Sequence, residues 1–114
     1  MKAKQYEIWI AHLNPTKGTE PGKIRPVIVI QTDLLNKYHA STIICPLTTN
    51  IQMDSEILRV HLRKGSCGLI EACDIMTDQI RAIDNKRLMK KIGLVPNEII
   101  SIIKENLKII FDLD

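Results

Sequence analysis

The sequence predicts a small, mainly β protein of the α+β class, in which several short strands precede one C-terminal helix. Short β-branched apolar runs recur up to residue 92, and turn-forming Gly, Pro and Asn residues separate them. After Pro96 the spacing of apolar residues becomes helical, at Ile99, Ile100, Ile102, Ile103, Leu107 and Ile110. This order of elements favours a small β-barrel or an α+β domain.

The first three strands are predicted where apolar runs follow closely on one another. Glu7–Leu13 has an apolar centre and ends at an Asn-Pro pair. Pro26–Gln31 is apolar on both faces, which predicts burial on both faces. Asp33–Ser41 connects it to a third strand, Thr42–Leu47. Pro46 places the end of that strand at a sheet edge or bulge, because proline cannot donate a backbone hydrogen bond.

The later elements are shorter. Ser55–Leu62 alternates as a half-buried strand does, with Leu58, Val60 and Leu62 on the apolar face. Lys64–Gly68 is a turn, Leu69–Ile80 holds one or two short strands, and Arg87–Ile92 holds another. Pro96 suits the first turn of the final helix.

Size and composition limit the class of protein. A length of 114 residues favours one domain over 1–114, and an apolar content of 45% suffices for one core. A net charge of +3 is mildly basic and does not suit a non-specific DNA coater. The odd number of cysteines gives no disulfide framework, and neither a signal peptide nor a membrane span is recognisable. We therefore expect a reduced, cytoplasmic protein with no membrane partner.

Residues 14–30, NPTKGTEPGKIRPVIVI, form the most informative segment of the chain. A turn-prone stretch leads into Arg25, which stands at the mouth of the second strand. The stretch has neither the Walker pattern nor a dinucleotide fingerprint. Arg25 either pairs with Glu20 or Glu7 at the strand start, or it grips a phosphate through its rigid, permanently charged fork.

Three blocks of sequence resemble one family. EIWIAHLNPTKGTEPGKIRPVIVIQ, TIICPLTTN at 42–50 and DQIRAIDNKRL at 78–88 are similar to segments of the MazF/PemK (Kid) toxins, in the same order and spacing. The family consists of sequence-specific endoribonucleases of type II toxin–antitoxin systems. The resemblance implies an SH3-like barrel of the CcdB/PemK type with a C-terminal helix.

The resemblance also implies the activity and the residues that carry it. The chain would cut single-stranded RNA by attack of the substrate's own 2′-hydroxyl, leaving a 2′,3′-cyclic phosphate and a 5′-hydroxyl. Arg25 and Thr48 correspond to the catalytic pair, although a threonine just past a strand end is commonly only a turn former. Contacts to RNA are expected from Lys17, Thr19, Glu20, Lys23, Asn36, Lys37, Tyr38, Thr49, Gln79 and Arg81. Strand alternation places Gln79 and Arg81 on one face.

Partners follow from the same resemblance. The family acts as a homodimer, and a cognate antitoxin inhibits it with an acidic, partly disordered tail. DNA would be reached only through that antitoxin. No cofactor is expected. The odd spacing of His61, Cys67 and Cys73 does not suit zinc, so no metal is expected either.

Two rival functions and two departures from the family pattern remain at this point. A CcdB-like gyrase poison would share the fold without nuclease chemistry, and an inactive module would only bind nucleic acid. His12, His39 and His61 are scattered and fall on no family motif, so we interpret them as structural or surface residues. Tyr6 occupies a position where the family usually has glycine, and Cys73–Met76 is more polar than the family's usual apolar run.

Overall fold

The computed structural model describes residues 2–14, 18, 23–54 and 58–114. Its seven strands are β1 (Glu7–His12), β2 (Ile24–Val29), β3 (Ser41–Thr48), β4 (Arg59–Leu62), β5 (Cys73–Met76), β6 (Arg81–Asp84) and β7 (Leu88–Leu94). A short helix, α1 (Asp33–Asn36), lies between β2 and β3. A 3₁₀ turn (Asn85–Arg87) precedes β7, and the chain closes with α2 (Asn97–Phe111).

The strands form one antiparallel sheet in the order β4-β5-β3-β2-β1-β7, and β6 pairs with β3 as well. Within the described ranges no pairing joins β4 to β7, so the sheet is not closed into a continuous barrel. Together with α2, this arrangement confirms the predicted mainly β fold with a C-terminal helix.

Alternation along the central strands buries both faces of the sheet. Ile8, Ile28 and Cys45 are aligned across β1, β2 and β3, and all three belong to the cluster that also contains Ile103 of α2. Their strand neighbours Trp9, Val27, Val29 and Ile44 belong to a second cluster, which also contains Ala3, Ala11, Leu13 and Ile83. The predicted burial of β2 on both faces is therefore confirmed.

β3 differs from its prediction at Pro46. The strand continues through this residue to Thr48 in the middle of the sheet, and Pro46 is buried opposite Val27. The expected edge or bulge is therefore wrong. β6 pairs with residues 41–44 of β3 and β5 pairs with residues 47–48, so neither ladder includes the proline that lacks an N–H.

Other element boundaries shift in ways that the contacts explain. The alternation expected for residues 55–62 holds over Arg59–Leu62, whereas 55–57 lie outside the described residues. The whole of β5 is buried despite its polar Asp74. Gln79 lies in the turn before β6, where its N–H donates to the Met76 carbonyl at 3.0 Å, so the strand alternation expected between Gln79 and Arg81 is wrong.

Tyr6 adopts a positive φ of 68°, which is the conformation that glycine reaches without steric cost. This backbone conformation explains why the family usually has glycine at this position. The Tyr6 side chain packs against the first core cluster, a contact that glycine could not make.

Gly68 and Gly93 bring two stretches of backbone into direct contact. A Cβ on Gly68 would lie 1.9 Å from the Ile92 carbonyl oxygen, and a Cβ on Gly93 would lie 2.1 Å from the Cys67 carbonyl oxygen. No side chain fits at either position. The turn that carries Gly68 is thereby fixed against β7.

We expect Gly68→Ala to destabilise the protein more than Gly65→Ala. The two glycines have nearly equal φ values, +80° and +81°, but a Cβ at Gly65 meets nothing within 4 Å. Gly65→Ala should therefore show only the backbone strain, of about 1 kcal/mol. Gly68→Ala must also displace β7 backbone, which should cost about 1–3 kcal/mol more. Urea unfolding of both variants at one protein concentration measures the difference, and equal losses would contradict the backbone contact.

Candidate active site

The pairing of β2 with β3 brings Arg25 and Thr48 together. Val27 lies opposite Pro46 and Ile28 opposite Cys45 in this antiparallel pair. The ladder ends at the Val27–Pro46 pair, and continuing its register by two residues would set Arg25 opposite Thr48. Residues directly opposite each other in an antiparallel pair point to the same face with Cβ atoms about 5 Å apart. The two predicted catalytic residues are thus neighbours, and the Arg25 guanidinium reaches the carbonyl of Leu47, which lies 22 positions along the chain and directly before Thr48.

Both side chains line one cavity of about 260 Å³, which we call the Arg25 cavity. Its wall combines two cations and two hydroxyl groups with apolar surface, and its residues are Lys23, Ile24, Arg25, Pro26, Leu47, Thr48, Thr49 and Cys73. Four of the described residues predicted to contact RNA or to act in catalysis meet here. Such a wall is suited to hold an anion, because charge and hydroxyl donors surround a partly desolvated space.

The Arg25 guanidinium is held over β3 by a bond to the backbone. Its Nη1 donates to the Leu47 carbonyl at 3.2 Å, immediately before Thr48. Partial burial lowers the pKa of Arg25 from its ordinary value, because desolvation disfavours the charged form. The group nevertheless stays a cation at neutral pH, since an arginine titrates far above that range.

Glu7 does not pair with Arg25, so one of the two structural alternatives is excluded. The Glu7 carboxylate instead accepts from Lys91 Nζ at 2.9 Å, from Lys4 N–H at 2.7 Å and from Trp9 Nε1 at 3.0 Å. Burial alone would raise the pKa of Glu7, but these three bonds outweigh it and the pKa is lowered. Glu20 lies outside the described residues.

The Thr48 hydroxyl is oriented by the turn that follows β3. Its Oγ1 accepts from the Asn50 N–H at 3.1 Å. A hydroxyl has one proton to donate and lone pairs to accept with. Because the turn occupies a lone pair and not the proton, the O–H is left to donate to a group in the cavity.

The loop between β1 and β2 has a well-anchored stem. Leu13 N–H donates to the Lys23 carbonyl at 2.9 Å, and Lys23 N–H donates to Asn14 Oδ1 at 2.8 Å. Arg87 Nη1 bonds the carbonyl oxygens of His12 and Asn14 at 3.1 and 2.6 Å. Lys17, Thr19 and Glu20, which we predict to contact RNA, lie outside the described residues, between Asn14 and Lys23 in the sequence.

A larger groove of about 450 Å³ adjoins the Arg25 cavity. Pro26, Thr49 and Cys73 line both spaces, so the two share a wall. The groove is mainly apolar and runs over β1 and β7, where it is lined by Ile10, Lys90 and Ile92. A chain bound at Arg25 could therefore continue along this surface.

Three predicted RNA contacts lie at the other end of the β2–β3 pair. Asn36 ends α1, and Lys37 and Tyr38 follow it, whereas Arg25 is near the start of β2. The ends of β2 are roughly 16 Å apart at the usual rise per strand residue. The Asn36 amide donates to the Gln31 carbonyl and to Asp33 Oδ1, both at 2.9 Å, and accepts from Gln31 Nε2 at 2.8 Å. Tyr38 is exposed.

Gln79 and Arg81 also lie apart from the Arg25 cavity. Arg81 is opposite Ile44, four positions along β3 from Thr48, which corresponds to about 13 Å. Its Nη1 is buried and has no hydrogen-bond partner among the residues that the structure describes. One chain therefore gathers Lys23, Arg25, Thr48 and Thr49 at the cavity, and it leaves Asn36, Lys37, Tyr38, Gln79 and Arg81 elsewhere.

Sequence reasoning missed a buried polar group next to this site. Asp74 is fully buried in β5, opposite Thr48, and bonds to Arg59 and His61 of β4. Only one signal pointed to it, which is a carboxylate inside the otherwise apolar run CDIM. Such a group requires partners when it is buried, but the sequence does not say which residues supply them.

No histidine lines the Arg25 cavity in the part of the chain that the structure describes. His61 bonds through Nδ1 to Asp74, as our structural interpretation of this histidine implies. Over the same ranges, no three His, Cys, Asp or Glu side chains are grouped so that they could hold a metal ion. No helix there is both long and apolar enough to cross a membrane.

The structure combines a small antiparallel sheet, a C-terminal helix and a cavity at a strand end that is suited to an anion. Comparison with known proteins identifies the class of protein that has this combination. Residues 4–111 match the family described as PemK-like, MazF-like toxins of type II toxin–antitoxin systems. The chain therefore belongs to this family and is the toxin component of such a system. The resemblance expected from the three sequence blocks is confirmed.

Relatives and solved structures agree with this assignment. Endoribonuclease EndoA of Bacillus subtilis is 33% identical over 109 residues, which cover 96% of this chain and 94% of the relative. MazF of Deinococcus radiodurans has a TM-score of 0.84 at 18% identity and covers 99% of both chains. Mycobacterium tuberculosis toxin MazF-mt6 has a TM-score of 0.80 at 22% identity, covering 95% of this chain and 98% of that chain. At these identities the two structures support the fold.

We expect the cysteine beside the site to be an unreactive thiol. Burial raises the pKa of Cys73, and the Glu71 and Asp74 carboxylates add to this shift. Burial, with a contribution from Asp78, raises the pKa of Cys45 to about 12. The thiolate is the reactive form. At neutral pH, iodoacetamide should therefore label the partly exposed Cys67 first, as mass mapping of the native protein would show.

The same reasoning predicts that Cys73→Ala retains activity, since a thiol held in its neutral form is a poor nucleophile. Rapid labelling of Cys73 in the folded protein would contradict this environment. Labelling in urea is the control, because all three thiols should then react alike.

Proposed function

We propose that this chain is a sequence-specific, metal-independent endoribonuclease that cleaves single-stranded RNA, as an mRNA interferase does. The observation that carries the proposal is the convergence of the Arg25 cation and the Thr48 hydroxyl in one cavity. The B. subtilis relative named Endoribonuclease EndoA supports the reaction class. The family assignment supports a nuclease over the CcdB-like gyrase poison that shares the fold.

In the proposed reaction the RNA supplies its own nucleophile. The 2′-oxygen attacks the adjacent phosphorus, and the bond from phosphorus to the 5′-oxygen breaks. The products are a 2′,3′-cyclic phosphate and a 5′-hydroxyl. The 2′-hydroxyl loses a proton and the departing 5′-oxygen gains one, so the reaction needs no cofactor and consumes no water.

The protein's contribution is electrostatic. Negative charge builds on the phosphoryl oxygens in the transition state, and donors fixed in advance stabilise it without reorganising. Arg25 would supply the charge, and Thr48 would donate its O–H to one phosphoryl oxygen. Lys23 and Thr49 line the same cavity and would hold the flanking phosphate groups.

Substrate contacts beyond the cavity divide into two groups. Lys17, Thr19 and Glu20, which lie between Asn14 and Lys23 in the sequence, would contact the RNA near the scissile bond. The apolar groove beside the cavity would accept a neighbouring base. Asn36, Lys37, Tyr38, Gln79 and Arg81 would contact nucleotides farther along the strand, consistent with their distance from Arg25.

We place the protein in the cytoplasm, as a homodimer of one-domain subunits that a cognate antitoxin inhibits. Solved structures of MazE–MazF from D. radiodurans support the antitoxin partner, since one has a TM-score of 0.80 to this chain. An acidic antitoxin segment laid over the Arg25 cavity would compete with the phosphates of RNA for the same cations. DNA would be contacted only through the antitoxin.

We expect Arg25→Ala to remove cleavage while the fold remains. Removing one donor that stabilises transition-state charge typically lowers the rate by about 10²- to 10³-fold. The measurement is cleavage of a defined RNA, together with thermal melting. Arg63→Ala is the matched control, because Arg63 is exposed and does not line the Arg25 cavity. Near-normal cleavage by a folded Arg25→Ala protein would refute the assignment.

A second prediction concerns the nucleophile. Replacing the nucleotide 5′ to the cut with its 2′-deoxy form should abolish cleavage at that site, because the attacking oxygen is then missing. EDTA should leave cleavage of the all-ribose RNA unchanged. Binding of the deoxy substrate, measured by fluorescence anisotropy, should persist. Cleavage of the deoxy site, or loss of activity in EDTA, would exclude the mechanism.

A further inference from the structure

A buried carboxylate lies directly beside the Thr48 end of the site. Asp74 is fully buried and sits opposite Thr48 in the β3–β5 pair. Its Oδ2 accepts from Arg59 Nη1 at 3.2 Å and from Gln52 N–H at 2.9 Å, and its Oδ1 contacts His61 Nδ1. A buried charge requires such partners, because an unpaired carboxylate is very costly to remove from water.

Arg59 connects this carboxylate to the turn after β3. The same Nη1 that bonds Asp74 also donates to the Asn50 carbonyl at 3.3 Å. The Arg59 side chain is 14% exposed, so solvent competes weakly for these bonds. With Gln52 held by Asp74 directly, residues 50 and 52 are both fixed to the β4–β5 pair.

The turn after β3 orients the Thr48 hydroxyl. Asn50 N–H donates to Thr48 Oγ1 at 3.1 Å, so the position of Asn50 decides where the Thr48 proton can point. A continuous path of bonds therefore runs from Asp74 through Arg59 and Asn50 to Thr48. None of the three residues before Thr48 lines the Arg25 cavity.

We propose that Arg59 is a positioning residue for the Thr48 hydroxyl, and that the buried Asp74 holds Arg59 in place. The inference rests on the proposed ribonuclease function, in which that hydroxyl binds a phosphoryl oxygen. Arg59 touches neither substrate nor reacting atoms. It acts by keeping Asn50 where its N–H selects one Thr48 rotamer.

A single substitution of Arg59 would not separate its positioning role from its contribution to the stability of the fold. Removing Arg59 alone leaves the Asp74 charge buried with one partner fewer, which destabilises strongly. The paired variant Arg59→Met/Asp74→Asn removes both charges and leaves no stranded ion. Arg63→Met is the control, because Arg63 is an exposed arginine just beyond β4.

The kinetic test compares these variants on a defined RNA. The paired variant should lower kcat by about 10- to 100-fold, as small misplacements of a reacting group do. KM should stay within about twofold, because an interaction used only in the transition state affects kcat and kcat/KM equally. In a Thr48→Val background the same pair of substitutions should cost nothing more. An unchanged kcat, or an equal loss in both backgrounds, overturns the proposal.

An NMR measurement on the protein without RNA separates this inference from the proposed function. Three-bond couplings to the Thr48 methyl carbon report whether its side chain holds one rotamer. We expect one rotamer in the native protein and in Arg63→Met, and rotamer averaging in the paired variant. A single rotamer in the paired variant overturns the proposal even if RNA is cleaved. If the native protein proves inactive on RNA, rotamer averaging in the paired variant would still support the positioning role, and only the proposed reaction would be refuted.

Discussion

The structure depends on the register between β2 and β3. Val27 and Val29 belong to one core cluster and Ile28 to the other, so both faces of β2 are buried. A slip by one residue would exchange the two sets and empty both clusters. The same register, continued past the end of the ladder, leads to Arg25 and Thr48, which line one cavity at the open end of the strand pair. Packing of aliphatic side chains, with few aromatics available, thus fixes the distance between the two groups that would act on a phosphate.

Polar groups extend this order beyond the ends of the strands. The Lys23–Asn14 stem and Arg87 hold the start of β2 on one side of the cavity. The Asp74–Arg59 pair holds the turn after β3 on the other side. A site built at strand ends lacks the support of a continuous ladder, and side-chain bonds to backbone carbonyl groups replace it here. The bond from Arg87 to Asn14 joins segments 73 positions apart, and the bond from Arg59 to Asp74 joins segments 15 positions apart.

The sequence predicts the features that local patterns record, and it does not predict the polar bonds between separate segments. β2, α2 and the partly buried arginine at the strand mouth leave local patterns, since period, β-branching and a cation after a turn-prone loop are visible in one stretch. Arg59 and Asp74 could not be paired, because an alternating strand shows only that Arg59 is on its polar face. Pro46 was placed wrongly for a similar reason. Proline does avoid positions that must donate a backbone hydrogen bond. Pro46 meets this rule inside the sheet because it lies between the segments of β3 that pair with β6 and with β5, and this position depends on the whole sheet. Gln79 was assigned to a strand that begins at Arg81, since a short turn interrupts the alternation.

The contact between Gly68 and Gly93 has a mechanical consequence. Backbone touches backbone there with no side chain between them to yield, so a displacement of β7 passes undamped to the turn that carries Gly68. That turn forms one wall of the apolar groove, and β7 is an outer strand of the sheet with its far edge unpaired in the described chain. A ligand that docks on the outer edge of β7 would therefore shift this turn together with Lys90 and Ile92, the β7 residues that line the same groove. The two glycines act as a stiff coupling between an edge of the protein and the surface beside its cavity.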